Sequence, residues 1–424
     1  MTPFVIILAL FAFLLVGVPI AFALGGMGLG LIALKGFNPI IVTQGLYSST
    51  DSFVLLAVPL FLLMSNVLLK GGVGKDLFAA VQSWVGHWPG GLAVATVISC
   101  ALFSAISGSS IATAATIATV AVPEMITRGY RRPFVLGLLA AGGTLGILIP
   151  PSVPLIIYGV VTEESIVALF LAGIGPGLLL AALFIVFSMA YAHFSGAFDP
   201  LPKAAWSERW SSSLRALPSA VLAVIIIGGI YGGVFTPTES AGVGFVLAVV
   251  ITALVLRTLT WELFKEAAIQ AMKTTVTIFL IIAGAKIFAK AITLYRIPHE
   301  VSQLILQNIS EPGLFILVVC VVLLILGFFL ESVSMLLIVV PVLFPALAGL
   351  GIDPVWFGIF FMLMIECALI TPPVGLNLFV IQAVANAPLG EVVRGVWPFI
   401  LMMFATVLAI YLFPDLALYI PFKL

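Results

Sequence analysis

Charge is what this chain lacks. Only 8% of its 424 residues are Asp, Glu, Lys or Arg, where a soluble domain carries roughly 25%. The 17 basic and 17 acidic residues balance, so neither a nucleic-acid surface nor a polybasic lipid patch is indicated. Cysteine is scarce: Cys100, Cys320 and Cys367 lie in apolar segments without metal-type spacing, which argues against a disulfide framework or a thiolate metal site. Histidine is equally thin, with His87, His193 and His299 scattered near segment ends. There is no P-loop, no metal-ligand cluster and no base beside a nucleophile. An enzyme and an ATP-driven machine are therefore both disfavoured. What fills the chain is apolar: 63% hydrophobic residues and a mean hydropathy of +1.32. This is the composition of an all-α integral membrane protein.

Apolar segments fall near 3–34, 49–69, 91–126, 134–160, 166–192, 217–234, 238–256, 274–294, 313–347, 355–383 and 395–420. The N-terminal Met-Thr-Pro-Phe has no basic n-region and reads as a retained helix. The one clearly polar connection runs from His193 to Arg215 and holds Asp199, Pro200, Pro202, Lys203, Glu208 and Arg209. The 91–126 run is awkward. As one helix it is about 54 Å long, against a hydrocarbon core of about 30 Å. In its middle stands Ser107-Gly108-Ser109-Ser110. Two half-helices meeting there fit the length, as does a tilted helix with a small-residue packing face.

Internal symmetry favours the hairpin. Pro123 and Pro150-Pro151 recur 222 residues later as Pro345 and Pro372-Pro373, and the same offset carries Ser110 onto Ser332. Upstream, an offset of 218 carries Pro19 onto Pro237 and Phe61 onto Phe279. Lysine and arginine placement then sets orientation. With 91–126 and 313–347 as re-entrant hairpins, the loops holding Lys70, Lys75, Arg128, Arg131, Arg132, Lys203, Arg209, Arg215, Arg257, Lys265 and Arg394 all face the cytoplasm. Counting either as a single crossing puts basic loops on both sides. An odd number of crossings separates the Pro19 and Pro237 helices, so the halves are inverted. The expected organisation is a first inverted repeat over 1–196 with broken helix 134–160, a polar cytoplasmic loop and linking helix over 197–235, and a second inverted repeat over 236–424 with broken helix 355–383.

Inverted repeats with interrupted helices place a site near the bilayer midplane. Proline removes an N–H and clashes with a preceding carbonyl, so each Pro-Pro break frees carbonyl oxygens. Freed carbonyls and serine hydroxyls suit a hard cation such as sodium. Half-helix N-termini beyond the breaks suit an anion. Ser110, Ser152, Thr238, Glu239, Ser334, Thr371 and Asn377 are the substrate or gating candidates, and Asn377 equally suits an interhelical hydrogen-bond bridge. Glu239, Glu331 and Glu366 are carboxylates at membrane depth, open to ion binding, proton relay or pairing with Lys286 and Lys290. A structural, hydrogen-bonded role is favoured for Glu239 and Glu366.

Four motifs together carry a family resemblance: Ser107-Gly108-Ser109-Ser110, Gly146-x-x-x-Pro150-Pro151-Ser152, Phe235-Thr236-Pro237-Thr238-Glu239 and Leu369-Ile370-Thr371-Pro372-Pro373-Val374-Gly375-Leu376-Asn377. Over essentially its full length the chain resembles the large, DctM-like membrane subunit of a tripartite ATP-independent periplasmic (TRAP) transporter. That resemblance implies a sodium-coupled, elevator-type carrier in the bacterial inner membrane. It also implies a periplasmic substrate-binding protein that delivers an organic anion, and a small four-helix membrane subunit as a separate chain. By the same resemblance one sodium site uses Ser107, Ser109 and carbonyls near Gly146, Leu148 and Pro151. Pseudo-symmetry carries a second to Glu331, Ser332, Ala368, Ile370 and Pro373. There Phe329 and Glu331 stand where Ser107 and Ser109 stand in the first copy, so different side chains must serve. A stand-alone sodium/carboxylate carrier and a passive channel are the alternatives, and the scattered intramembrane charges argue against the channel.

Overall fold

Proline and glycine punctuation decides where the apolar runs break. The computed structural model describes residues 3–38, 40–50, 52–195, 201–309 and 311–423. The run expected as one segment over 3–34 is two helices, Pro3–Leu15 and Ile20–Leu34. Gly17 turns the chain at φ 86° and Pro19 cannot donate a helical bond. The 91–126 run is likewise two helices, Gly91–Ser107 and Ser110–Thr127. They fold back on each other, because Thr96 near the start of the first lies 3.4 Å from the Met125 sulfur near the end of the second.

The other runs extend further than composition indicates. Trp261–Leu294 begins well before residue 274, where the Thr260 hydroxyl accepts the Leu263 amide at 3.3 Å and caps the helix. Trp206–Tyr231 starts inside the polar connection. Residues 196–200, with Asp199, Pro200 and the expected boundary at 196/197, lie outside the described residues. Four shorter helices had no counterpart among the expected segments or stood only as part of one: Ile40–Thr50, Val73–Val85, Ile297–Asn308 and Asp415–Lys423. Val73–Val85 and Ile297–Asn308 each lead from a long helix into a helix pair. Among the described residues there is no strand, and eight helices are long and apolar enough to cross a membrane, nine if Arg132–Leu148 and Val153–Thr162 form one bent span.

Packing sorts the helices into two groups. In one, Ile20–Leu34 lies on Trp261–Leu294 and Ala57–Lys70 lies on Pro237–Val250, while Ala57–Lys70 also meets Trp261–Leu294. Under the offset that carries Pro19 to Pro237 and Phe61 to Phe279, the first two pairs exchange. In the other group, Ser110–Thr127 packs on Leu376–Ala385, and Ser332–Gly349 packs on Val153–Thr162. Each later arm thus meets the distal half of a broken helix from the opposite end of the chain. Tyr158 ties these together by donating to the Pro354 carbonyl at 2.7 Å, as Trp356 does to Ile410 at 2.9 Å.

Candidate functional site

Small residues let the first tip sit directly on the first break. Helix Gly91–Ser107 ends at Gly108 with φ 60°, and helix Ser110–Thr127 begins from extended Ser109. A Cβ on Gly108 would stand 2.5 Å from the Pro151 carbonyl oxygen, and one on Gly146 would stand 2.7 Å from that of Ser109. Neither position has room for a side chain. Ser107, Ser109, Gly146 and Pro151 are thereby brought together. The Leu148 carbonyl lies against Gly173 of helix Ile166–Ser195.

Hydroxyls knit this tip. Ser107 Oγ lies 2.8 Å from Thr113 Oγ1, and the Ser109 hydroxyl accepts the Ala112 amide at 3.4 Å. Beyond the break, Ser152 caps helix Val153–Thr162 in the same way, accepting Leu155 N–H at 3.4 Å. Two serine-capped helix N-termini therefore open near one cluster of hydroxyl and carbonyl oxygens. Such neutral oxygen donors fit a small hard cation. The positive helix ends fit an anion. Thr113 was not among the expected site residues. Its signal was present, since it is one helical turn beyond Ser109 and Ser110 and on their face.

The second tip is built from other residues. The backbones of helices Pro312–Leu326 and Ser332–Gly349 approach each other less closely than those of the first pair. An apolar cavity of about 350 Å³ lies where this pair, through residues such as Val319, Val322, Ile338 and Val342, meets helices Pro3–Leu15, Trp261–Leu294 and Ile297–Asn308. Glu331 and Ser332 begin the returning helix without a side-chain cap, and the Ser334 hydroxyl donates to Glu331 Oε1 at 3.1 Å. Gly327 is the close approach here, seated against Ala368. At the break, the Thr371 hydroxyl donates to the Cys367 carbonyl at 2.6 Å and its amide to the Ala368 carbonyl at 3.3 Å. Both Pro150-Pro151 and Pro372-Pro373 are cis. Ile370 and Pro373 lie in this same break.

Two fully buried polar side chains flank it. Neither amide atom of Asn377 has a hydrogen-bond partner, so the expected interhelical bridge is absent. Glu366 is fully buried, and the hydroxyl of Ser110 is the polar group its carboxylate meets. This contact joins the first tip to the second broken helix. Among the described residues no carboxylate forms an ion pair with Lys286 or Lys290. Glu239 does take a structural role: its Oε2 accepts the Thr236 amide at 2.8 Å in a capping box. Thr238 donates to the Phe53 carbonyl at 3.3 Å, and the turn Phe53–Leu56 in turn packs on Val153–Thr162.

The family model for the DctM component of a tripartite ATP-independent periplasmic transporter matches residues 7–416. The chain belongs to that family. A Pseudomonas aeruginosa relative, a C4-dicarboxylate TRAP transporter large permease protein, is 38% identical, with 92% of each chain covered. The sialic acid large permease protein of Vibrio cholerae is 36% identical, with 96% of each covered. An isethionate permease protein, DctMQ, of Oleidesulfovibrio alaskensis is 36% identical over 93% of this chain, which spans 62% of that longer protein. Among solved structures, the YdaH transporter of Alcanivorax borkumensis is similar at a TM-score of 0.63 with 15% identity, covering 90% of this chain and 87% of its own. That likeness concerns the fold alone. This DctM-family chain is accordingly a multi-pass protein of the bacterial inner membrane and a transporter subunit, not an enzyme.

Proposed function

We propose that this DctM-family chain is the carrier subunit of a sodium-coupled importer of an organic anion. Its partners are a periplasmic substrate-binding protein and a small four-helix membrane subunit. The observation that carries the reading is the seat of Ser107-Gly108-Ser109 on Gly146 and Pro151, which gathers neutral oxygens beside two helix N-termini. The relatives named above are permeases for C4-dicarboxylate, sialic acid and isethionate, all organic acids, and this substrate class is what positive helix ends recognise. The extra length of the isethionate relative fits a small subunit fused to the large one in that protein.

Ser107 and Ser109 hydroxyls with carbonyls of Gly146, Leu148 and Pro151 would hold one sodium ion, and Glu331, Ser332, Ala368, Ile370 and Pro373 a second. Bound there, sodium supplies positive charge at membrane depth without proton chemistry. Ser110 and Ser152 present helix N-termini to the anion, while Ser334, Thr371 and the unpartnered Asn377 amide offer further polar contacts. In the elevator reading, the hairpins and broken helices move as one body against the group built on Trp261–Leu294. Val73–Val85 and Ile297–Asn308 act as the connecting arms. The exchanged helix pairs support this inverted-repeat arrangement. Coupling requires that sodium affinity differ between the inward and outward states.

The test is uptake into proteoliposomes holding this chain, its small subunit and its binding protein. Ser107→Ala with Ser109→Ala should abolish sodium-dependent uptake while the chain still elutes as a folded species. Unchanged sodium dependence would overturn the assignment.

A further inference from the structure

Arg209 is a buried cation with no carboxylate paired to it. It stands in the first turn of helix Trp206–Tyr231 and is only 6% exposed. Its guanidinium carbon lies 5.4 Å from the centre of the Trp84 ring and 5.5 Å from that of Trp206. The two rings meet edge to face at 5.9 Å. Such a frame stabilises the charge through the ring faces but offers no acceptor to its N–H groups. Nε and Nη2 are enclosed without a hydrogen-bond partner, and no ion pair among the described residues includes Arg209. A guanidinium carries five N–H donors in a planar fork, the shape that matches phosphate or carboxylate.

The surroundings add positive potential and fix the depth. The helix starts from Ala205 without a side-chain cap, so its first-turn amides open at the same end. Contact with Trp206, the first helical residue, holds the guanidinium at that end. Lys203 and Arg215 flank it and are exposed, and by the charge rule this end is cytoplasmic. Trp84, Trp88, Trp206 and Trp210 are all exposed, as tryptophans are at a membrane–water boundary. Further along, Leu214, Leu217, Val221 and Val224 form an exposed apolar stripe. Arg209 precedes Leu214 by about 7.5 Å of helix rise. The cation therefore sits at headgroup depth, with hydrocarbon on one side and the cytoplasm on the other.

We propose that Arg209 and the open N-terminus of helix Trp206–Tyr231 bind the phosphate of an anionic phospholipid from the cytoplasmic leaflet. Nη1 is not enclosed and makes the first contact. Trp206, 74% exposed, is the outer wall of the frame, and turning it aside opens Nη2 to the same phosphate for a bidentate fork. The acyl chains then lie along the Leu214–Val224 stripe. A free phosphate ion shares the headgroup chemistry but makes no use of that stripe, and the anionic leaflet surface favours the lipid. The site also lies at a joint between two helices. Val73–Val85 packs on Trp206–Tyr231, where Trp84 Nε1 donates to Ser213 Oγ and Ser212 Oγ to Ser83 Oγ, both at 2.9 Å. A lipid held by Arg209 braces this joint.

The experiment adds dioleoylphosphatidylglycerol, dioleoylphosphatidylcholine or inorganic phosphate to the purified full-length chain in detergent. Bound lipid is read by native mass spectrometry and the melting temperature by tryptophan fluorescence. Dioleoylphosphatidylglycerol should bind and raise the melting temperature more than dioleoylphosphatidylcholine, and inorganic phosphate should do neither. Arg209→Gln should weaken dioleoylphosphatidylglycerol binding about tenfold or more. Arg215→Gln removes an exposed charge from the same helix and should leave binding nearly unchanged, because exposed charge is screened. Equal binding of the two lipids by the wild type overturns the proposal, and that result needs no variant to fold. Displacement of dioleoylphosphatidylglycerol by inorganic phosphate assigns the site to a free anion and overturns the lipid. Equal losses in the two variants show diffuse attraction and overturn the site. A cognate small membrane subunit that excludes dioleoylphosphatidylglycerol from the wild-type chain makes the site a protein contact, which also overturns it.

Discussion

The two hairpin tips occupy matching places in the chain but are held differently. At the first, Gly108 rests on the Pro151 backbone and Ser107, Ser109 and Thr113 share hydroxyl contacts. At the second, the arms line an apolar cavity shared with helices Pro3–Leu15, Trp261–Leu294 and Ile297–Asn308, and the turn carries Phe329, which is 53% exposed. The first tip has its donors set by close backbone contact, so a ligand ordering it would lose little conformational freedom. The second tip keeps one close glycine contact, at Ala368, and one hydrogen bond between Ser334 and Glu331. Oxygen donors can be preorganised where residues are small. Bulky apolar residues leave a tip whose arms can still move.

The largest expected effect separates the tips directly. Gly108→Ala forces a left-handed alanine, at roughly 1–2 kcal/mol, and overpacks the Pro151 carbonyl, at roughly 1–3 kcal/mol, about 2–5 kcal/mol together. Gly327→Ala overpacks only Ala368, because Gly327 already has a right-handed backbone at φ −64°. The smaller loss, about 1–3 kcal/mol, should appear as a smaller drop in melting temperature. Equal drops would erase the distinction between the tips.

A middle effect is expected at Ser334→Ala, which removes the hydrogen bond to Glu331. About 0.5–1.5 kcal/mol should be lost, read by thermal unfolding of the purified chain. A larger loss would mean that the second tip is pinned by more than this one contact. The smallest change is expected at Phe329→Ala, within about 0.5 kcal/mol, since half of that side chain lies outside the packing. A melting temperature that falls as far as for Ser334→Ala would show the second tip to be packed as firmly as the first.

Much of the first site was legible because its residues are chemically out of place. Serines and a glycine inside an apolar run, and a Pro-Pro step inside another, stand out without any coordinates. The structure added which carbonyl faces which group: Pro151 lies against Gly108, whereas Leu148 lies against Gly173. Thr113 was missed because an isolated threonine in a membrane helix usually bonds its own preceding carbonyl. Only the turn at Gly108 brings it to Ser107. The four short helices were missed or absorbed into longer runs because a 9- to 13-residue helix lacks the long apolar run of a membrane crossing.

By itself the sequence determined that this is a helical membrane protein interrupted at paired positions. Bilayer insertion demands long apolar runs with satisfied backbones, and proline and glycine break those runs wherever they fall. Tertiary structure alone decided which interruptions meet. Side-chain identity cannot show that Glu366 is buried against Ser110 or that Glu239 is spent on a helix cap. Those outcomes depend on how helices far apart in the chain rotate about their axes to fit one another. The serine-glycine tip was visible in the chain from the start, and its seat on Pro151 required the fold.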